Sequence, residues 1–370
     1  MSENKSDLKR TPLYYKHVEE GARMVPFSGW EMPVQYAGII EEHMHTRSRA
    51  GLFDICHMGE FFLKGPSSAK DLNRLVTCHV DDMPEGKCHY GFMLNENGGI
   101  IDDLIVYKIS QEEFMLVVNA GTVDKDRAWI EANISSDTFF IDDSSNIAKV
   151  DIQGPITGKI MASLCGDDVI ESLKRFWFKK VEVNGARILL SRTGYTGELG
   201  YELFFPVSSA ERIWDTLLAC EGVKPAGLGA RDTLRLEMGY SLYGSDIDEE
   251  HTPLEADHAK FVCMEKDFIG KEALVRQEKE GVSRILTGFI CEGRRSARGH
   301  FGVFADGKEV GEVTSGAFSP SLKQAIGMCY MEKGSVADDK EIVLSDGKIE
   351  IGGRVKSVPF ITPHVHVGNL

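Results

Sequence analysis

Residues 90–107 read Y-G-F-M-L-N-E-N-G-G-I-I-D-D-L-I-V-Y: apolar, then turn-forming from Asn95 to Gly99, then apolar again. The pattern predicts two strands joined by a tight turn, because Asn and Gly tolerate positive φ. Asp102 and Asp103 interrupt the second apolar run. Alternation along a strand sends consecutive side chains to opposite faces, so at least one of these carboxylates should point into the protein. A carboxylate there needs a partner or a task. The competing reading places both at the strand start, where the turn is still wet.

The same patterning organises the rest of the chain. Residues 1–11 are polar and expected to fray. Residues 24–36, M-V-P-F-S-G-W-E-M-P-V-Q-Y, mix aromatics with Gly and Pro and predict an extended, turn-rich connector. Residues 39–50 predict a helix that stops before Gly51. Gly65-Pro66-Ser67-Ser68 opens another, with Ser68 and Asp71 as a capping-box variant ahead of Leu72, Leu75 and Val76. A strand at 114–119 and a helix at 122–134 follow. This order predicts an α+β unit built on an antiparallel sheet. Residues 148–153 read as a strand, and Gly154-Pro155 starts a helix with Pro at its first position. Residues 181–191 read as a hairpin around Asn184-Gly185, and 208–220 as a helix with Ser208 and Glu211 as a capping box. From Thr287 onward, short β-rich runs alternate with turns such as Asp306-Gly307 and Asp346-Gly347. Closely spaced short strands predict a small all-β barrel or sandwich, entered through a charged linker at 276–280.

Composition narrows the function. The chain has 370 residues, enough for two or three domains. Its net charge of -15 argues against nucleic-acid or anionic-membrane binding, which needs a basic face. No apolar run approaches a membrane span, and M-S-E-N-K-S-D-L-K-R carries no hydrophobic signal region. The eight cysteines include no C-x-x-C pair, which suits reduced thiols in a cytoplasmic enzyme.

Two more stretches carry candidate chemistry. S-R-T-G-Y-T-G-E-L-G-Y-E, from Ser191, places Gly194, Gly197 and Gly200 in a loop that could approach a ligand closely. Its spacing is neither that of a dinucleotide fold nor that of a P-loop. Glu202 lies just beyond it at the start of an apolar strand. G-L-G-A-R-D-T-L-R-L-E, from Gly227, reads as a helix with Arg231 and Arg235 on one face. A cation near a helix start is disfavoured by the dipole, so Arg231 implies a local anion. That anion is a ligand or a protein carboxylate, with Asp232, Glu237 and Glu202 as the candidates. His43, His45 and His57 invite a metal reading, but no further ligand falls at a helical spacing that would complete it.

Many collinear motifs now point one way. F-S-G-W-E-M-P at Phe27, G-L-F-D-I-C-H-M-G-E at Gly51, N-E-N-G-G-I-I-D-D-L-I-V-Y at Asn95 and V-V-N-A at Val117 join the glycine loop and the Arg231 helix. T-P-L-Y at Thr11 and G-E-V-T-S-G-A-F-S-P at Gly311 complete them. The chain resembles the glycine cleavage system T-protein (aminomethyltransferase) family nearly end to end. The resemblance implies an α+β, three-domain aminomethyltransferase-like fold, with two α+β folate-binding subdomains plus a C-terminal β-barrel. The expected bounds are 8–275 for the two intertwined subdomains, the inner one at about 52–140, and 284–366 for the barrel.

The resemblance also implies the chemistry. Asp103 is the expected catalytic carboxylate, Glu202 the holder of the pterin's guanidine-like edge, and Arg231 the folate-binding arginine. Tyr90, Asn119, Tyr195, Tyr240, Met58 and Tyr107 match pocket positions. The family moves a one-carbon unit from an aminomethylated lipoyl carrier, the H protein, to tetrahydrofolate, with release of ammonia. Tetrahydrofolate is then a co-substrate, with no metal and no protein nucleophile expected. A monomer or weak dimer in the cytoplasm is the expected form. A folate-dependent demethylase of the same superfamily is the rival, and a folate-binding protein without turnover is a third reading. The sequence departs from the family at Cys56, where serine is usual. It departs again over E-A-D-H-A-K-F-V-C-M from Glu255, which loses a Gly and a Trp, and in P-F-I-T-P-H-V-H at the C-terminus. These departures touch the second substrate more than the folate core.

Overall fold

A computed structural model describes residues 8–365. Most of the expected fraying segment and His366 of the C-terminal departure lie outside them. An antiparallel five-stranded sheet runs in the spatial order Cys88–Leu94, Ile100–Ser110, Glu113–Val118, Gly59–Lys64 and Phe139–Asp142. Strand alternation splits its side chains between two cores. Leu104, Val106, Leu116 and Val118 pack beneath the helices Ser68–Leu75 and Val123–Asn133, with Leu72, Leu75 and Ile130. Tyr107, Met115 and Val117 face the other way, against Phe178 and Phe204 of a second sheet.

That second sheet has six strands, ordered Phe178–Val183, Ala186–Ser191, Gly200–Pro206, Ile147–Gln153, Ala50–Asp54 and Val223–Pro225. Its far face buries Val150, Ile152, Leu203 and Phe205 against Ile213, Trp214 and Leu217 of the helix Ala210–Leu218. Its near face carries Lys149, Asp151 and Glu202. Asp151 lies directly opposite Glu202, and Lys149 opposite Phe204, so all four share that face. The C-terminal strands close a six-stranded barrel filled by Phe289, Val313, Cys329, Met331, Leu344 and Val355. Its outer wall, through Ile326, Met328 and Tyr330, packs on Phe92, Leu94 and Leu236. Among the described residues no helix is long and apolar enough to cross a membrane.

Several local expectations need correction. Residues 8–11 are held rather than frayed. Lys9–Arg10 pairs in parallel with Trp30–Gln35, and Thr11 Oγ1 donates to Asp54 at 2.6 Å. The connector at 24–36 is a hairpin of Arg23–Phe27 and Trp30–Gln35. Neither expected capping box forms. Asp71 accepts from Ser135 and Thr138 instead, and a 3-10 turn, Val207–Ser209, precedes the helix at Ala210. Pro155 lies in the turn before the helix Thr157–Cys165, not at its first position. The charged run 276–280 is no linker, since it completes the helix Lys271–Glu280, whose buried Leu274 anchors it.

Candidate functional site

A cavity of about 840 Å³ opens where the two sheets, the helix Leu228–Glu237 and the barrel meet. The inner sheet contributes Tyr90, Asp103 and Asn119. The second sheet contributes Lys149 and Glu202, the helix contributes Arg231, and the barrel wall contributes Ser315 and Gly316. Tyr195, Tyr240 and Met58 also line it. Tyr107 does not. It is fully buried behind the wall, where its hydroxyl donates to Glu202 Oε2 at 3.3 Å. The side chain spans from one sheet to the other, so it orients a cavity residue without reaching the cavity.

The two interrupting aspartates have separate partners. Asp103 accepts from the Tyr90 hydroxyl at 2.9 Å and from Asn119 Nδ2 at 2.8 Å. Burial, then the Asp102 charge, raises its carboxyl to about 7, against those two bonds. Asp102 points away from the cavity and is fully buried. It takes the Asn119 backbone N–H at 3.0 Å and Asn119 Nδ2 at 2.9 Å. Behind it sits Asp126, also fully buried, with both carboxylate oxygens lacking a donor. Thr122 Oγ1 spends its proton on the Asn119 carbonyl at 2.9 Å. Burial and Asp126 push Asp102 well above the usual carboxylate range, while burial raises Asp126 to about 6. Burial thus favours the protonated form of both Asp102 and Asp126, and Asp102 and Asp103 lie within the strand Ile100–Ser110 rather than at a wet strand start.

Across the cavity, Glu202 Oε2 accepts from Thr193 Oγ1 at 2.7 Å, and Lys149 Nζ stands 3.7 Å from Oε1. Arg231 finds its anion in Asp151, at 2.9 Å, and stacks 4.9 Å over Tyr195. None of Asp232, Glu237 or Glu202 is its partner. Asp151 belongs to a distant strand that no helical spacing could suggest. Burial and the Glu202 charge raise Asp151 to about 7, with Arg231 pulling it down. Arg235, on the same helix face, is spent on structure. It bonds Asp246 at 2.6 Å, Asp232 at 2.8 Å and Ser315 at 3.0 Å.

The glycine loop packs on the side chain of Gln153 from the neighbouring strand more than it opens toward a ligand. A Cβ at Gly194 or Gly200 would fall about 2 Å from the Gln153 side chain, and only Gly194 reaches the cavity. The three histidines diverge. His43 bonds Thr233 at 2.8 Å, His45 the Gly222 carbonyl at 2.9 Å, and His57 meets the edge of Phe27 at 5.5 Å. Among the described residues no cluster of His, Cys, Asp and Glu could hold a metal ion.

The departures are accommodated locally. Cys56 is buried and exchanges contacts with the Lys149 backbone at 3.2 Å in both directions. Asp257 adopts φ 59, the left-handed region that suits the Gly it replaces. His258 and Lys260 beside it line the cavity. The C-terminal His364 contacts Glu198 Oε1 at 3.1 Å and donates its N–H to the Gly197 carbonyl.

Sequence reasoning missed Lys149 and Asp151, and it read His57, which lines the cavity, only as part of a histidine cluster. A signal for the first two exists: A-K-V-D-I-Q puts alternating charges into an apolar strand, the same anomaly that exposed Asp102 and Asp103.

Comparison with known proteins now has a geometry to meet. The family model described as GCVT N-terminal domain matches residues 13–266. The Glycine cleavage T-protein C-terminal barrel domain matches 284–361. The aminomethyltransferase of Halothermothrix orenii is 43% identical over 96% of this chain and 100% of its own length. That of Desulfitobacterium hafniense is 45% identical over 92% of this chain and 94% of its own. The crystal structure of glycine cleavage system aminomethyltransferase T from Bartonella henselae superposes with a TM-score of 0.90 at 32% identity. It covers 96% of this chain and 99% of that one. With both family domains matched in order and whole-length relatives on either side of 44% identity, this chain belongs to the glycine cleavage T-protein family of aminomethyltransferases.

Proposed function

We propose that the chain transfers the one-carbon unit of an aminomethylated lipoyl carrier protein to tetrahydrofolate, releasing ammonia, with Asp103 as the catalytic carboxylate. The observation that carries this reading is the gathering of Asp103, Glu202 and Arg231 into one cavity of about 840 Å³, near the upper end of the size usual for ligand sites. The donors and acceptors fit a folate. Glu202 offers carboxylate oxygens to an amidine-like edge, and Arg231 offers a guanidinium that already stacks on Tyr195. Tyr240 and Met58 supply apolar wall.

In this proposal Asp103 stabilises the positive charge that develops on the one-carbon unit. Tyr90 and Asn119 hold its carboxyl in one orientation. With its titration raised to about 7, it can also hold or give up a proton near neutrality. Holding two reactants together in a largely dry cavity would supply most of the rate, up to roughly 7–11 kcal/mol in favourable cases. The lipoyl arm of the H protein is the second reactant. We also infer a chain division at 275–284, supported by the separate core of the barrel and by family matches that end at 266 and resume at 284. Cytoplasmic placement is supported by eight free cysteines. No observation favours the demethylase reading.

A single-turnover assay tests the proposal. Tetrahydrofolate and an aminomethyl-loaded lipoyl carrier should yield ammonia and methylenetetrahydrofolate together. Tetrahydrofolate binding without either product would refute the donor.

A further inference from the structure

Lys149 is 1% exposed, yet it lines the cavity. A buried ammonium needs acceptors for three N–H groups, and this one has few. Its hydrogen-bond contact is the Met58 sulfur, a weak acceptor, at 3.6 Å. Glu202 Oε1, at 3.7 Å, is near enough to attract it and too far to bond it. The Phe204 ring lies 4.9 Å below. Glu60, fully buried on the neighbouring sheet, also feels Lys149, but burial raises its carboxyl to about 8 and leaves it mostly neutral. Asp151 is held by Arg231 and Gln153. The ammonium thus keeps N–H capacity on its cavity side, next to the carboxylate read above as the pterin anchor.

We infer that Lys149 reads position 4 of the pterin, as a specificity-determining residue beside Glu202. The inference rests on the folate reading and deepens it. A 2-amino-4-oxopteridine presents two donors, the 2-amino group and N3–H, followed by one acceptor, O4. Glu202 with Lys149 offers the complement: two carboxylate oxygens, then a cationic donor. Strand alternation sets the two side by side, because Asp151 is opposite Glu202 and Lys149 is the diagonal neighbour of Glu202 on the same face. A 4-amino group would set donor against donor at that point and leave the ammonium without its acceptor.

The test compares tetrahydrofolate with its 4-amino analogue, 4-amino-4-deoxytetrahydrofolate, in which O4 becomes an amino group and N3 loses its hydrogen. Binding to the full chain is measured by anaerobic calorimetry. The wild type should prefer tetrahydrofolate by at least roughly tenfold, as sites built on one hydrogen bond do. Lys149→Met should shrink that ratio several-fold, leaving the part that Glu202 reads at N3. A merely structural lysine would weaken both ligands together and leave the ratio in place. A ratio retained in Lys149→Met, or absent from the wild type, overturns the inference. Should Lys149→Met not fold, Lys149→Gln serves, because an amide can donate to O4 or accept from a 4-amino group and so loses the part of the preference read at position 4. Failure of the wild type to bind tetrahydrofolate at all would instead overturn the folate reading beneath it.

Discussion

Replacing Arg231 by methionine separates two roles that the guanidinium could play. Asp151 is fully buried and bonds Arg231 at 2.9 Å. In the wild type its carboxyl titrates near about 7, above the ordinary value, with Arg231 among the groups that hold it down. A raised folded-state pKa means that folding favours the protonated acid, so this contribution to stability falls as pH rises and levels off above about 7. Without Arg231 the carboxyl titrates higher still, so the fall continues. The gap between wild type and Arg231→Met should be small at pH 6 and widen by about 1.4 kcal/mol per pH unit above 7. Its ceiling is the roughly 3–5 kcal/mol of an orphaned buried charge. At about 2–4 °C per kcal/mol for a domain of this size, thermal melts from pH 6 to pH 9 resolve it. Adding Asp151→Asn should close the gap at high pH. Tetrahydrofolate affinity measured at pH 6, where the folding cost is least, then reports on ligand contact alone, and it should drop sharply. A gap independent of pH, or one that Asp151→Asn leaves open, would refute the ion-pair argument. Retained affinity at pH 6 would refute the ligand role.

Other expectations follow from the same geometry. Asp103→Asn should lower turnover by about 10²–10³, the usual loss of one charge-stabilising group, without lowering the melting temperature above pH 7, because it removes a carboxyl raised to about 7; unchanged turnover would sink the assignment. Asp126→Asn replaces a buried carboxyl that has no donor by a neutral amide. Because burial raises Asp126 to about 6 in the fold, stability above pH 6 should rise, by up to about 3 kcal/mol, and a lower melting temperature there would contradict the burial penalty. Asp257→Gly should leave the melting temperature nearly unchanged, whereas Asp257→Val at φ 59 should cost about 1–2 kcal/mol; equal melts would show that the left-handed position is not enforced.

The sequence by itself determined the elements wherever their cause is local. The Asn95–Gly99 turn, the Asn184-Gly185 hairpin and the alternation around Asp102 and Asp103 depend on backbone sterics and strand period, which neighbouring residues supply. Motif order along the chain sufficed for the family, and for the membership of Asp103, Glu202 and Arg231 in one site. Tertiary structure decided the pairings. Ser68 with Asp71, and Ser208 with Glu211, have the spacing of capping boxes, yet Asp71 is drawn to Ser135 and Thr138, which are closer partners in three dimensions. The run 276–280 looks like a linker because its charges are solvated, while Leu274 on the other face ties the helix down. Arg231 needed an anion, but Asp151 lies 80 residues away in the chain. Asp126 and Lys149 lie behind or beside the predicted residues, and Tyr107 behind the cavity wall, for the same reason. Electrostatic partners in a buried site are set by which strands lie side by side, and strand order is a long-range property that local patterning does not encode.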